Sequence, residues 1–455
     1  MSRRTDIPTP RSLLKFRPQS RNPAKGSDSS DDNLLRVARW ALALAIALAA
    51  VVLDPFADAA FDAPKILALK CGALVVVCAL LLRSPTSLTS EWTLPGRLVI
   101  VLLGAAFAGA LAATIFSVHG PVAWHSLAAM LLGASYFLIG ASRVISGAAG
   151  RRFLALFILL AALNAIVSLM QSVGLQLPFA VERLGGRYPT GAFLGNEGFV
   201  ALLCALMGAC GVALLIAPDA TSRTKKIALA ISVLAMLAIA VNRQATSAIA
   251  LVIAVGVMLV VKHQQRWLVG WFAAVIAVAL VAAAVPSLRA KTWAAAPGAS
   301  VESYQRLTTY RLGGWAAAIE MIEARPWIGH GPGAFAQEST ARRLAAEVRL
   351  GERFLQPTGA TFVYAHQEWL QLAAECGVPT MLMVLAALVI VLQRLMSETA
   401  GRASAERLLL LGVLTAGAVA TLAWFPLQIP ITTMAILLAC GRAWRITTQI
   451  SKSAT

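Results

Sequence analysis

Residues 192–217 read AFLGNEGFVALLCALMGACGVALLIA, an apolar run interrupted only near its start by Gly195, Asn196 and Glu197. Wound as a helix, such a run is long enough to cross the roughly 30 Å of hydrocarbon in a bilayer. Runs of the same kind recur along the chain, at 37–53, 66–82, 98–116, 122–140 and 153–173 before it and at 227–241, 245–261, 267–285, 378–392, 408–425 and 427–440 after it. Together they make about twelve spans. The composition agrees: the 455 residues are 58% hydrophobic and only 13% charged, and the mean hydropathy is +0.74. That excludes an ordinary soluble globule and leaves no room for a large soluble domain. The expected fold is an all-α polytopic membrane protein.

The formal charge of +18 would suggest nucleic acid in a soluble chain, so it has to be sorted by loop. With the N-terminus placed in the cytoplasm, alternate loops hold Arg83 and Arg97, then Arg143, Arg151 and Arg152, then Arg223, Lys225 and Lys226. The same side continues through Lys262, Arg266, Arg394, Arg402, Arg407, Arg442, Arg445 and Lys452, and with the nine basic residues up to Arg39 it holds 25 of the 39. The positive-inside rule then puts both termini in the cytoplasm, and the excess charge reads as topology, not nucleic-acid binding. Residues 1–36 are rich in Arg, Pro, Ser and Asp and read as a disordered basic tail without a signal-peptide core. Nine spans follow over 37–285, then a connection over 286–377, three more spans over 378–445 and a short tail over 446–455. Five of the six cysteines fall in spans and Cys376 stands alone near the outer surface, so no disulfide framework or CxxC site follows.

The outer side carries the candidate chemistry. Its main feature is the connection over 286–377, far longer than ordinary loops and therefore expected to be functional and partly helical. Within it, Trp315, Ala318, Ile319 and Ile322 form a helical stripe that Pro326 and the GHGPG turn (329–333) stop. A second helix is expected to start near His366, with that histidine on its inward face close to the membrane surface. His330 reads as an exposed turn residue or a rival histidine. Arg187 and Arg243 flank spans on the side where basic residues are disfavoured; they read either as interfacial anchors or as ligands of phosphate, which guanidinium binds bidentately. Arg311, Trp315 and Tyr364 are possible secondary contacts to a substrate, and Lys70 either snorkels or helps to bind phosphate. In the first outer loop Asp54, Asp58 and Asp62 recur every four residues. They could hold a divalent cation with lipid phosphate; the plainer reading makes Asp62 and Pro64 the cap and first turn of the next helix.

Five stretches, in this order and spacing, resemble the O-antigen ligase and polymerase superfamily of bacterial envelope glycan enzymes: GRYPTGAFLGNEGFVAL (186–202), NRQATSAIAL (242–251), RLGGWAAAIEMIEARPWIGHGPGAF (311–335), HQEWLQLAAECGVP (366–379) and FPLQIP (425–430). Two positions depart from that pattern: His330 replaces a small or apolar residue, and Glu197 stands where Pro or Asn is expected. The resemblance implies a metal-independent inverting glycosyl transfer on the periplasmic side of the inner membrane, without a cofactor. The donor it implies is an undecaprenyl-diphosphate-linked glycan and the acceptor a lipid A core glycolipid. Arg187 and Arg243 would then hold the pyrophosphate and His366 would activate the acceptor hydroxyl. Glycan polymerisation and transfer to a protein hydroxyl remain open within the same chemistry. A lipid-linked glycan transporter is the rival class, although the chain lacks the two matching halves and central cytoplasmic linker of such carriers.

Overall fold

The computed structural model describes residues 28–54, 60–82, 94–176, 189–284, 300–354, 362–401 and 404–450. Among these the regular structure is helical: α1 (Asp28–Val51), α2 (Ala63–Leu81), α3 (Leu94–Ile115), α4 (Gly120–Ala141), α5 (Gly147–Ser172), α6 (Glu197–Ile216), α7 (Ser222–Asn242), α8 (Ala245–Val261) and α9 (Gln265–Ala284). Then come α10 (Val301–Leu307), α11 (Leu312–Ala324), α12 (Ala334–Leu350), α13 (Glu368–Cys376), α14 (Val378–Gly401), α15 (Ala405–Ala420) and α16 (Pro430–Ile450). A helix stands at every position where the sequence places a span. Eight of them, α1–α7 and α14, are long and apolar enough to cross a membrane, and α8 is apolar but shorter. Eight is therefore the number of crossings that length and composition support among the described residues.

α6 is the axis of the bundle. Most of its side chains are buried, unlike those of the outer helices, because α5, α7, α8 and α15 all pack on it. Small residues let helices approach closely. At the α4–α16 contact a Cβ on Gly140 would meet the Leu438 carbonyl oxygen at 2.2 Å, and one on Gly441 would meet the Phe137 oxygen at 1.9 Å. Any larger residue there would push the two helices apart.

Several boundaries differ from the sequence expectation: the run at 408–425 leaves its helix at Ala420, and α16 runs to Ile450, past the expected start of the tail at 446. α1 begins at Asp28, so residues 28–36 of the expected tail are helical, and residues 1–27 lie outside the described residues. The run at 192–217 does not enter its helix at Ala192. Ala192–Leu194 forms one 3-10 turn, Gly195 adopts φ +71, and Asn196 caps α6 by accepting from the Gly198 and Phe199 amides.

The connection between α9 and α14 has a core of its own. Ala317, Ala318, Met321, Phe335, Phe362, Ala365 and Ala374 join α11, α12 and α13 into one unit. The inward stripe of α11 is thus Ala317, Ala318 and Met321, whereas Ile319 is exposed. Cys376, expected near the surface, is buried with Ala110 of α3 and Leu127 of α4, docking the unit on the bundle. A single residue, Gly377, separates α13 from α14.

Candidate active site

His366 precedes α13 instead of sitting on its inward face. Its φ is +57, a left-handed conformation that is uncommon outside glycine and costs on the order of 1 kcal/mol. The flanking bonds enforce it. The Ala365 amide donates to Gln371 Oε1 at 3.1 Å, the Gln367 side chain caps α13 by accepting from the Leu370 amide, and the Glu368 amide donates to the Thr421 carbonyl at 3.0 Å. So held, the imidazole faces Phe425 edge-on at 4.8 Å between centroids and Trp424 at 5.4 Å. Its Nδ1 is enclosed and has no hydrogen-bond partner among the described residues. Burial, and then the Arg311 charge, push the imidazole pKa down to about 4, so it is neutral at physiological pH.

The segment joining α15 to α16 builds the wall behind this histidine. Arg311, at the start of α11, donates from Nη1 to the Ala423 carbonyl at 2.6 Å and lies 4.5 Å from the Trp424 ring centre. Trp424 stacks on Phe425, and Phe425 stacks in turn on Tyr364 at 4.7 Å. Burial pushes the Tyr364 phenol up, and the carboxyls of Asp62, Glu368 and Glu375 push it further. Glu368 accepts from the Leu427 amide at 2.7 Å, and Trp369 Nε1 donates to Thr421 Oγ1 at 3.0 Å. The carboxyls of Glu368 and Glu375 are both buried and raised to about 7, chiefly by desolvation. These contacts fix His366 against the bundle, not merely within its own loop.

Arg243 lies in the two-residue turn between α7 and α8, as the left-handed C-cap of α7 with φ +53, and it is exposed. The residue before it, Asn242, is buried: its Nδ2 donates to Ser168 Oγ at 2.9 Å and its Oδ1 accepts from Thr190 Oγ1 at 2.7 Å. Arg187 lies outside the described residues, but the strand of chain that follows it is pinned. Besides the Thr190 bond, the Ala192 amide donates to Gln171 Oε1 at 2.8 Å. The same strand enters α6 at Gly198, where a Cβ would meet Trp424 Cζ2 at 2.6 Å. One continuous segment therefore runs from the Arg243 turn to the indole beside His366.

The other candidates fall elsewhere. His330 is buried, not exposed at its turn: Nδ1 pairs with Glu338 Oε1 at 2.9 Å and Nε2 with the Met321 carbonyl at 3.0 Å, which leaves the ring no free nitrogen. Trp315 is half-buried, with its Nε1 enclosed and no partner among the described residues. Lys70 is exposed on α2. Asp62 occupies the N-cap position of α2 without a side-chain capping bond, Asp54 is exposed, and Asp58 lies outside the described residues. Sequence reading passed over Lys65, which is buried and donates to the Val52 and Phe61 carbonyls, tying the first loop to α2. It also passed over Trp424; the signal was an aromatic pair, Trp424 and Phe425, set before Pro426 at the end of an otherwise aliphatic run.

An apolar helical bundle that presents a neutral histidine and a buried arginine at one aromatic wall defines a multi-pass membrane protein with an enclosed polar site. Residues 228–385 match a family model described as O-antigen ligase, and this match supports assignment to the O-antigen ligase superfamily. It also supports a ligase- or polymerase-type membrane glycosyltransferase. No curated protein matches the chain.

Proposed function

We propose that the protein transfers a glycan from undecaprenyl diphosphate to an acceptor hydroxyl on the periplasmic face of the inner membrane, by a metal-independent inverting mechanism, and that the reaction is O-antigen ligation onto lipid A core. The observation that carries this reading is the state of His366: neutral, held in a strained backbone conformation and lacking a protein partner for Nδ1. Such an imidazole keeps a lone pair for the acceptor's proton, but a pKa lowered to about 4 makes it a weak base until negative charge arrives beside it. It takes the proton of the acceptor hydroxyl while that oxygen bonds to the anomeric carbon. The bond from that carbon to the phosphate oxygen breaks on the opposite face, and its electron pair leaves with the pyrophosphate. Arg187 and Arg243 meet the growing negative charge. A nearby pyrophosphate also offsets the Arg311 charge that holds the imidazole pKa down, which makes His366 a better base once the donor is bound.

The test is cell-free transfer of a labelled lipid-linked glycan by the purified protein to a panel of acceptors: lipid A core, a second lipid-linked glycan, and a protein. Transfer to the core, abolished by His366→Ala in a folded protein and strongly reduced by Arg243→Ala, supports the reading. Transfer only to another lipid-linked glycan reassigns the protein to polymerisation, and transfer only to protein reassigns it to protein glycosylation. Full activity of His366→Ala refutes the assignment of the base. Movement of the intact donor across a vesicle membrane without bond exchange refutes the transferase reading.

A further inference from the structure

The turn between α11 and α12 leaves apolar side chains uncovered at a depth that the surrounding helices define. Residues 323–328, EARPWI, are exposed throughout, with Trp327 at 77% and Ile328 at 43%. The backbone that carries them is tied to the joint between α13 and α14. The His330 and Gly331 amides donate to the Ala374 and Glu375 carbonyls at 3.1 and 2.8 Å, and the Val378 amide donates to the Pro326 carbonyl at 2.8 Å. A Cβ on Gly377 would meet the Trp327 carbonyl oxygen at 2.3 Å.

That joint lies inward of the tips of the neighbouring spans. Cys376 packs with Ala110 of α3 and Leu127 of α4, and a Cβ on Gly109 would meet Thr380 Oγ1 at 2.3 Å. Because α3 continues to Ile115 and α4 begins at Gly120, these contacts sit about 7–10 Å along the two helices from their ends, at 1.5 Å per residue. Ile115, Phe116 and Val118 lie farther out and are themselves exposed. The hydrocarbon that α3 and α14 are long and apolar enough to cross therefore reaches the level of the turn. An indole suits that boundary, with an apolar body for the acyl chains and an N–H for the headgroups. Arg325, exposed two residues before it, adds a guanidinium that reaches headgroup phosphates.

We infer that the turn over 325–328 is a membrane-interface anchor, with Trp327 and Ile328 seated between lipid headgroups and acyl chains, so that the bilayer itself covers this surface. The patch is continuous with the lipid-facing sides of α3 and α14. It is also too small for a second copy of the chain, because Pro326, Trp327 and Ile328 fall well short of the roughly 800 Å² that each partner buries in a standard protein interface. Through its bonds to α13 and α14 the anchor holds the connection, and with it His366, at a fixed depth.

The experiment puts a photo-crosslinking amino acid in place of Trp327 in the full-length protein, reconstituted into vesicles of phosphatidylethanolamine and phosphatidylglycerol, and identifies the adduct by mass spectrometry. The same label in place of Leu382, exposed on α14, is the lipid-facing control. A lipid adduct as the main product at both positions is expected. A lipid adduct at 382 with none at 327 means that water covers the turn, and overturns the inference. An adduct between two copies of the chain overturns it in favour of a contact between copies. If the labelled protein does not fold, Trp327→Phe serves in its place: lipid brominated near the headgroup end of its acyl chains is expected to quench a smaller share of the tryptophan emission in this variant than in wild type. An equal share overturns the inference. None of these readouts involves glycan transfer, so the anchor and the transferase reading stand or fall separately.

Discussion

The connection between α9 and α14 contains two histidines, and their surroundings differ in the way a structural group differs from a working one. His330 uses both ring nitrogens, one on a carboxylate and one on a carbonyl, while its own backbone amide and carbonyl bond to Ala374 and Ser117. Every polar group is satisfied, so the ring holds α11 and α12 together and has nothing left to offer a substrate. His366 has the opposite pattern, with a left-handed backbone fixed from both sides, an enclosed Nδ1 without a partner among the described residues, and burial, reinforced by the nearby Arg311 charge, that keeps the ring neutral. A fold retains an unsatisfied, strained group where the surroundings enforce it, and such groups cluster at functional sites.

That contrast is open to attack at several points. The largest expected effect is on chemistry. His366→Ala should lower kcat for transfer by about 100-fold to 10,000-fold with little change in thermal midpoint, whereas His330→Ala should keep kcat per folded molecule and lose about 1–3 kcal/mol of stability by removing the buried ring that joins Glu338 to the Met321 carbonyl, Glu338 keeping its Arg342 partner. Steady-state kinetics together with thermal melts of both variants check this, and an exchange of the two phenotypes would reverse the assignment. Next in size is the acid limb of kcat/KM. The basic form of His366 is lost as pH falls through about 4, so the limb should lie there and not at 6.5, and Arg311→Gln should move it upward by removing a like charge. A wild-type limb at 6.5 would mean that the ring is not buried beside a cation.

A smaller effect concerns stability. Glu368 and Glu375 have carboxyls raised from 4.5 to about 7, so between those values the folded protein binds protons that the unfolded chain has released. Stability should therefore fall as pH rises from about 4.5 to about 7, and Glu368→Gln with Glu375→Gln should flatten that slope in melts taken across the range. The smallest effect belongs to His119, whose partly exposed Nε2 lies 3.3 Å from Glu338 Oε1. His119→Ala should cost under about 1 kcal/mol and leave transfer unchanged. A large loss of activity there would extend the working region to the α3–α4 turn.

Much of the fold was legible because long apolar runs leave little choice of conformation, and each of those runs contains a helix. The position of His366 was legible too, from its place between a polar loop and an amphipathic helix. Its backbone conformation was not, because a positive φ at a histidine depends on Gln371, Gln367 and Thr421 holding its neighbours. Trp424 and Arg311 are far apart in sequence, and nothing local to either announces that they stack. His330 misled for a related reason: a GHGPG turn suggests exposure, but Glu338 and the Met321 carbonyl lie beneath it. Periodicity reports which face of a helix is apolar, and is silent about partners that arrive from elsewhere in the chain.

The lone residue between α13 and α14 has a last consequence. Gly377 has φ +86, and the Val378 amide just beyond it donates to the Pro326 carbonyl, so the joint has no slack. One extra residue at this point would rotate α13 by about 100° relative to the span that follows. The spacing there acts as a gear tooth, setting how far round α13 and the histidine that precedes it are turned against α14.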